Sequence, residues 1–276
     1  MMKLSIITIN YNNRNGFQKT IDSVLCQTWH DFEWIVIDGG STDGGKELIE
    51  KYQDHFSYWC SEPDKGVYNA MNKGVGHAHG DYVLFLNSGD LLCSNIVLAN
   101  LSNILTNSTE DFLVGNTIYV DDGGKEVLHR LSPEKISAAL LYKTALCHQS
   151  TFIKRELLLD DPYDETLKYV SDWKHMFQQI IFNNKTYKKL DSYISKYDYT
   201  GMSSVNESSV VSEREMVLHE FLPKLICEDY KKFTKSNLLF LDREKNRKLY
   251  DFTQIFLSKS KWNSVKVFIY SLFFHY

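Results

Sequence analysis

The sequence predicts an α/β fold, with a mostly parallel central sheet flanked by helices and a helical C-terminal extension. Three observations predict it. Short β-branched apolar runs alternate with helically spaced apolar residues through the first third of the chain. Clusters of Asn, Asp, Gly and Ser close three of those runs. Of 276 residues, 43% are hydrophobic and 24% charged, which excludes disordered and fibrous classes and allows a large core.

Residues 3–9, KLSIITI, predict a buried strand bounded by the polar YNNRN. Phe17, Ile21, Val24 and Leu25 follow at i, i+4, i+7 and i+8, an amphipathic helix of about three turns. Residues 32–38, FEWIVID, form a second strand closed by GGSTDGG, and a second helix runs from Asp43 to about Asp54. This order predicts parallel pairing through crossover helices. A third strand falls at Phe56–Glu62. Val67, Ala70, Met71, Gly74, Val75 and Ala78 mark one helix face, and YVLFL at 82–86 is a strand that stops at Asn87-Ser88-Gly89-Asp90. A helix near 94–105 and a strand near 112–120 come next, then a helix near 133–142 and a strand near 150–154. Trp173, Met176, Phe177, Ile180 and Ile181 predict a helix with Ser171 as its cap and Asp172 in its first turn. Strand alternation covers 187–199, and the Ser-rich stretch 200–215 predicts a mobile loop or lid. No repeat or clean linker divides the chain, so one α/β domain over 1–205 and a helical extension over 206–276 are expected.

The net charge of −4 gives no global basic field, so no nucleic-acid partner is expected. Five scattered cysteines without a CxxC pair exclude a disulfide framework or Cys-rich zinc site and suit a reducing cytoplasm. The N-terminus turns polar after about nine residues, too soon for a signal peptide, and no run of about 18 apolar residues predicts a membrane-spanning helix. Charge is nonetheless uneven: Lys231–Lys266 holds ten Lys or Arg against three Asp or Glu. The last fifteen residues, WNSVKVFIYSLFFHY, are apolar on most helical faces. They read either as a helix docking on the body or as an interfacial anchor beside a basic skirt, giving peripheral contact with the inner membrane face through 231–276.

In an open parallel sheet, ligands bind beyond the carboxyl ends of the strands. Three such ends here carry Thr8-Ile9-Asn10-Tyr11-Asn12, Asp38-Gly39-Gly40-Ser41-Thr42-Asp43 and Asn87-Ser88-Gly89-Asp90. Taken singly, each reads as a turn, with Asp43 as a helix cap, and Asp64-Lys65-Gly66 after Pro63 reads the same way. Their joint placement at three β-α switches instead suits a ligand with a base to hydrogen-bond and phosphates to neutralise. Phosphates would call for Mg2+ or Mn2+, held by one or two carboxylates and phosphate oxygens.

LSIITINYNN (4–13), SVLCQTWHDFEWIVIDGGSTDGG (23–45), EPDKGVYNAMNKGVGHAHGDYVLFLNSGD (62–90), CHQSTFIKREL (147–157) and VSDW (170–173) resemble family 2 glycosyltransferases of the kind that builds bacterial surface polysaccharides. The resemblance spans roughly residues 3 to 175 and is most specific over 62–90. It implies a GT-A fold, with a Rossmann-like sheet. It puts Thr8, Asn10 and Tyr11 against the nucleotide, Asp38 against a uracil ring, and Asp64, Lys65 and Lys73 on the same nucleotide side. Asn87–Asp90 stands where the family carries its DxD-type metal motif. The motif reads N-S-G-D here, so Asp90 is left as the metal carboxylate, with Asn87 and Ser88 near the donor sugar or diphosphate. His148 and Gln149 either line that pocket or are structural. Asp172 matches the catalytic base of inverting members, and Trp173 either stacks on an acceptor sugar or belongs to the core.

The resemblance therefore implies a metal-dependent, inverting glycosyltransferase using a nucleotide-sugar, a UDP-sugar above all. The acceptor would be a glycan or lipid-linked glycan in capsule, exopolysaccharide or O-antigen synthesis. One alternative is a nucleotidyltransferase, although YNNRNG lacks the Gly-rich basic loop expected after its first strand. Another is a non-catalytic nucleotide- or glycan-binding module, since one carboxylate binds a hard cation poorly. A dinucleotide-dependent dehydrogenase is excluded by the missing GxGxxG.

Overall fold

A computed structural model of the chain describes residues 3–121, 123–198 and 207–235. The first strand, β1 (Leu4–Asn10), is buried along its whole length. That explains why KLSIITI does not alternate: a strand covered on both faces has no polar side. On one face Leu4 and Ile6 join Trp34 and Val36 of β2 (Phe32–Asp38), beneath Phe17, Ile21 and Val24 of α1 (Arg14–Leu25) and Leu48 and Ile49 of α2 (Gly45–Tyr52). On the other face α3 (Val67–Gly76) approaches so closely that a Cβ at Gly74 would lie 2.5 Å from Ile7 Cγ2. Glycine is the residue that allows that approach.

Between α2 and α3 runs β3 (Tyr58–Ser61), and β4 (Tyr82–Phe85) follows α3. Strands β3, β2, β1 and β4 lie side by side and all parallel, as the crossover pattern predicts. The sheet then continues through β8 (Thr151–Lys154), β6 (Phe112–Val120), β9 (Tyr187–Asp198) and the two-residue β5 (Leu91–Leu92). β8 is antiparallel to both β4 and β6, whereas β9 is parallel to β6. The α/β, mostly parallel GT-A-like architecture expected from the sequence is the one observed. β5, the short helix α6 (Arg155–Asp160) and β7 (Glu126–Arg130), an exposed ribbon paired with β6, carry no strong sequence period and were not anticipated.

The remaining helices are α4 (Val97–Asn107), α5 (Ala138–Lys143), α7 (Ser171–Phe177), α8 (Glu207–Phe221) and α9 (Lys224–Lys235). α7 runs on into one wide turn at Gln178–Phe182. Three expectations are corrected. Helix α2 starts after Gly44, whose φ of 92° ends the loop, and Asp43 instead accepts hydrogen bonds from Gly45 N at 3.0 Å and Arg14 N at 2.7 Å. Ser171 is the first residue of α7 rather than its cap, which is Val170. The expected loop at 200–215 is helical from Glu207 on, because buried Val217 and Leu218 give the polar, Ser-rich sequence a packed side. Its first part, 199–206, lies outside the described residues, as do the apolar 262–276 and most of the basic stretch.

Two compact units are present, Met1–Phe221 and Leu222–Tyr276. No helix among the described residues is long and apolar enough to cross a membrane.

Candidate active site

Because β1, β2, β3 and β4 are parallel, their carboxyl ends share one edge. The last residues of β1 and β2, Asn10 and Asp38, are register partners. Asn10 Nδ2 donates to Asp38 Oδ1 at 2.7 Å. Asp38 also accepts from Ser41 N at 2.9 Å, Ser61 Oγ at 2.6 Å and the Ser41 hydroxyl. Burial pushes this carboxyl up, but the hydroxyl and amide donors outweigh it and hold it below the ordinary carboxylate range. The residue is fully buried. Its oxygens are taken by protein donors, so Asp38 orders the strand tips from below rather than presenting a free carboxylate at the edge. Thr8 is likewise not at the edge. It is buried, and its Oγ1 accepts from Trp34 Nε1 at 3.0 Å inside the core.

The exposed components are Tyr11, 65% accessible, and the loop carrying Asp64 and Lys65. Gly39 lies between them. A Cβ there would sit 2.7 Å from Asp64 Oδ2 and 3.1 Å from Tyr11 Cδ2. The missing side chain thus lets the Tyr11 ring and the Asp64 carboxylate close over the end of β2, leaving no room there even for a methyl group. Asp64 Oδ1 accepts from Gly66 N at 2.9 Å, which fixes the loop. Lys73, expected on the same side, is engaged in an ion pair: its Nζ lies 2.7 Å from Glu62.

The Asn87–Asp90 turn is pinned to the same edge. Ser88 N donates to Ile9 O at 3.0 Å, and Asn13 Nδ2 donates to Ser88 O at 2.9 Å. Thr20 of α1 holds the turn from beneath, accepting from Gly89 N at 3.0 Å and donating to Asp90 O at 2.8 Å. Gly89 supplies the positive φ of 106° that the turn needs. Asp90 is buried, and the buried Oδ1 of Asn87 has no hydrogen-bond partner. Among the described residues no three His, Cys, Asp or Glu side chains gather as a metal set. Asp90 and Asn87 therefore offer two hard oxygen donors, which fits a cation completed by phosphate oxygens rather than one held by protein alone.

The turn Cys147–Gln149 connects this region to Asp172. Burial, with the Asp90 carboxylate adding to it, pushes the Cys147 thiol up to about 11. His148 is buried, stacked on Phe85 at 4.7 Å, with Nε2 2.7 Å from the Tyr163 hydroxyl. Burial holds His148 below its ordinary pKa, against the opposing field of Asp172. His148 is thus a neutral structural ring and not a free pocket group. Gln149 Oε1 accepts from Cys147 Sγ at 3.3 Å.

Asp172 sits half-buried in the first turn of α7, where the Tyr68 hydroxyl of α3 donates to its Oδ1 at 2.8 Å. Burial and then Asp172 itself raise Tyr68 well above its ordinary pKa, so it remains a donor. Trp173 belongs to the core: it is 1% exposed, its Nε1 donates to Leu141 O at 2.7 Å, and its ring stacks on Phe177. This rules out the acceptor-stacking option. Sequence reasoning missed Tyr68, Thr20, Tyr163 and Arg214. Arg214 lies on α8 with Cζ 4.8 Å from the Trp173 ring centroid, and Asp172 bears on its charge. Tyr68 was in principle legible, being inside the specific 62–90 block and three and seven residues before Met71 and Val75.

Residues 5–160 match the model of glycosyl transferase family 2. A "PGL/p-HBAD biosynthesis glycosyltransferase" of Mycobacterium bovis (strain BCG / Pasteur 1173P2) is 30% identical over 230 residues, 80% of this chain and 83% of that protein. Among solved structures, S. aureus TarS 1-349 in complex with UDP-GlcNAc has a TM-score of 0.62 at 18% identity, covering 90% of this chain and 76% of that one. The mannosyltransferase PcManGT from Pyrobaculum calidifontis, in complex with GDP-Man and Mn2+, has a TM-score of 0.55 at 15% identity, covering 71% of this chain and 56% of that one. At these identities the two structures speak to the fold.

Proposed function

The chain belongs to glycosyl transferase family 2, and from that premise we propose that it is an inverting transferase. It moves a sugar from a UDP-sugar to a hydroxyl of a glycan acceptor, such as a lipid-linked oligosaccharide. One observation carries the reading: a carboxylate, Asp172, is held by the buried Tyr68 hydroxyl at 2.8 Å, and its charge bears on His148 while that of Asp90 bears on the adjoining Cys147.

An acceptor hydroxyl is a weak nucleophile until its proton is removed as it attacks. Asp172 takes that proton while the new C–O bond forms at the anomeric carbon, opposite the departing UDP. Attack from the far face gives inversion in one displacement. Tyr68 fixes which oxygen of Asp172 is free, because Oδ1 is occupied as an acceptor. The base packs against the exposed Tyr11 ring beside the Asp64 loop, with Asp38 and Asn10 keeping the strand tips in register. Asp90 and Asn87 Oδ1 would hold Mn2+ or Mg2+, which when bound neutralises the leaving diphosphate.

The UDP-GlcNAc complex of TarS supports a UDP-sugar donor, and the Mn2+ complex of the archaeal mannosyltransferase supports a divalent cation. The name of the mycobacterial relative supports a glycosyltransferase acting in a biosynthetic sequence. The basic balance of Lys231–Lys266 supports peripheral contact with an anionic inner membrane face from the cytoplasmic side. The test is calorimetric titration of UDP, with GDP as control, in the presence and absence of Mn2+. Metal-dependent binding selective for UDP is expected. Folded protein that binds neither nucleotide would move the non-catalytic reading to the front.

A further inference from the structure

We infer that Glu213 of α8 is a positioning residue for Asp172, an inference that rests on the transferase reading. Its Oε1 accepts from Lys168 N at 2.7 Å, and its Oε2 accepts from Tyr169 N at 2.6 Å and Val170 N at 3.0 Å. These three amides immediately precede α7, whose second residue is Asp172. All three lie ahead of Ser171, the first helical residue, so Glu213 holds the segment that enters the helix rather than its first-turn amides, and a carboxylate there also suits the positive end of the helix macrodipole. The segment has no polar cap of its own: Val170 has no polar side chain, and the buried Ser171 Oγ has no partner. The holding group comes from 43 to 45 residues further along the chain. Charge-assisted bonds to three consecutive amides fix the position and direction in which the chain enters the first turn.

A second link fixes the same helix. Lys174 Nζ pairs with Glu220 of α8 at 2.9 Å and with Asp164 at 2.8 Å. Tyr68 holds the Asp172 side chain from α3, while Glu213 holds the backbone that carries it. Loss of the clamp lets α7 shift or fray at its first turn. A displacement of about 1 Å at a reacting group can cost about a hundredfold in rate.

The experiment compares wild type, Glu213→Gln and Glu213→Ala. For each it measures kcat, donor KM, UDP affinity, and amide hydrogen exchange at Lys168, Tyr169 and Val170. The glutamine keeps the size but only one acceptor oxygen. The expected result is a kcat about tenfold lower in Glu213→Gln and about a hundredfold lower in Glu213→Ala, with UDP affinity within about twofold and the three amides exchanging faster. Wild-type kcat in a folded Glu213→Ala protein, or unchanged exchange in either variant, overturns the proposal. A wild-type protein that transfers no sugar would instead defeat the transferase reading, and with it the catalytic purpose of the clamp. The exchange rates would still report whether Glu213 holds the entry to α7.

Discussion

The Tyr68 hydroxyl donates to Asp172 Oδ1 at 2.8 Å across 104 residues of sequence, joining α3 to the first turn of α7. The bond turns a mobile surface carboxylate into one with a fixed orientation. Tyr68→Phe removes it without changing the ring that packs 5.6 Å from Tyr163. A hydrogen bond to a charged group contributes about 1.5–3 kcal/mol. Part of that is orientation, so kcat is expected to fall about tenfold or more while UDP affinity stays unchanged. Steady-state kinetics beside calorimetry check both halves.

Gly39 tests the base site. Gly39→Ala puts a methyl 2.7 Å from Asp64 Oδ2 and 3.1 Å from Tyr11. The Asp64 side chain can give way, so the melting temperature should change little. The Asp64 carboxylate and the Tyr11 ring are pushed from their places, and UDP affinity should drop at least about tenfold, or about 1.4 kcal/mol. Undiminished UDP binding would locate the base elsewhere.

Asp38 is expected to affect stability first and binding second. Asp38→Ala strands the Ser41 and Ser61 hydroxyls that now donate to it and leaves the Asn10 amide only its 3.1 Å bond to Ser41 Oγ. Leaving buried donors unpaired costs about 1–3 kcal/mol. Chemical denaturation should report that loss, along with weaker UDP binding through the loosened loop. A variant of normal stability that loses UDP binding would mean the carboxylate reads the base directly.

His148 and His175 set an acid limit. Burial is the largest influence on both and holds both below the ordinary 6.5. The unfolded chain therefore binds more protons than the folded one as pH falls through about 6.5. The stability these neutral rings contribute is complete above that pH and is lost progressively below it. Melting temperature should fall from about pH 7 to about pH 5, and His175→Gln should flatten the slope. Parallel curves for variant and wild type would contradict the assignment.

The parallel half of the sheet was legible because β1, β2 and β4 are largely apolar runs closed by polar clusters, as in LSIITIN and FEWIVID. Strand β7 was not, since its exposed residues carry no burial pattern to read. The first turns of helix α8 were read as a loop because their Ser-rich sequence has weak local preference, and tertiary packing of Val217 and Leu218 holds them helical. At the site, the resemblance to family 2 glycosyltransferases pointed to Asp172, Asp64, Tyr11 and Asp90, whereas residue types alone read as turns and a helix first turn. The inward turn of Thr8, the saturation of Asp38 and the burial of His148 and Trp173 depend on which partner each side chain finds. Glu213 and Tyr68 reach Asp172 from distant segments, which no spacing in a single sequence reveals.

The most direct test of the central claim is Asp172→Asn, assayed for sugar transfer from a UDP-sugar and, in parallel, for UDP affinity. The asparagine keeps the shape but cannot accept the acceptor's proton. Transfer should fall by at least about a hundredfold with UDP affinity preserved. Transfer at the wild-type rate would contradict the account and place the base on another residue.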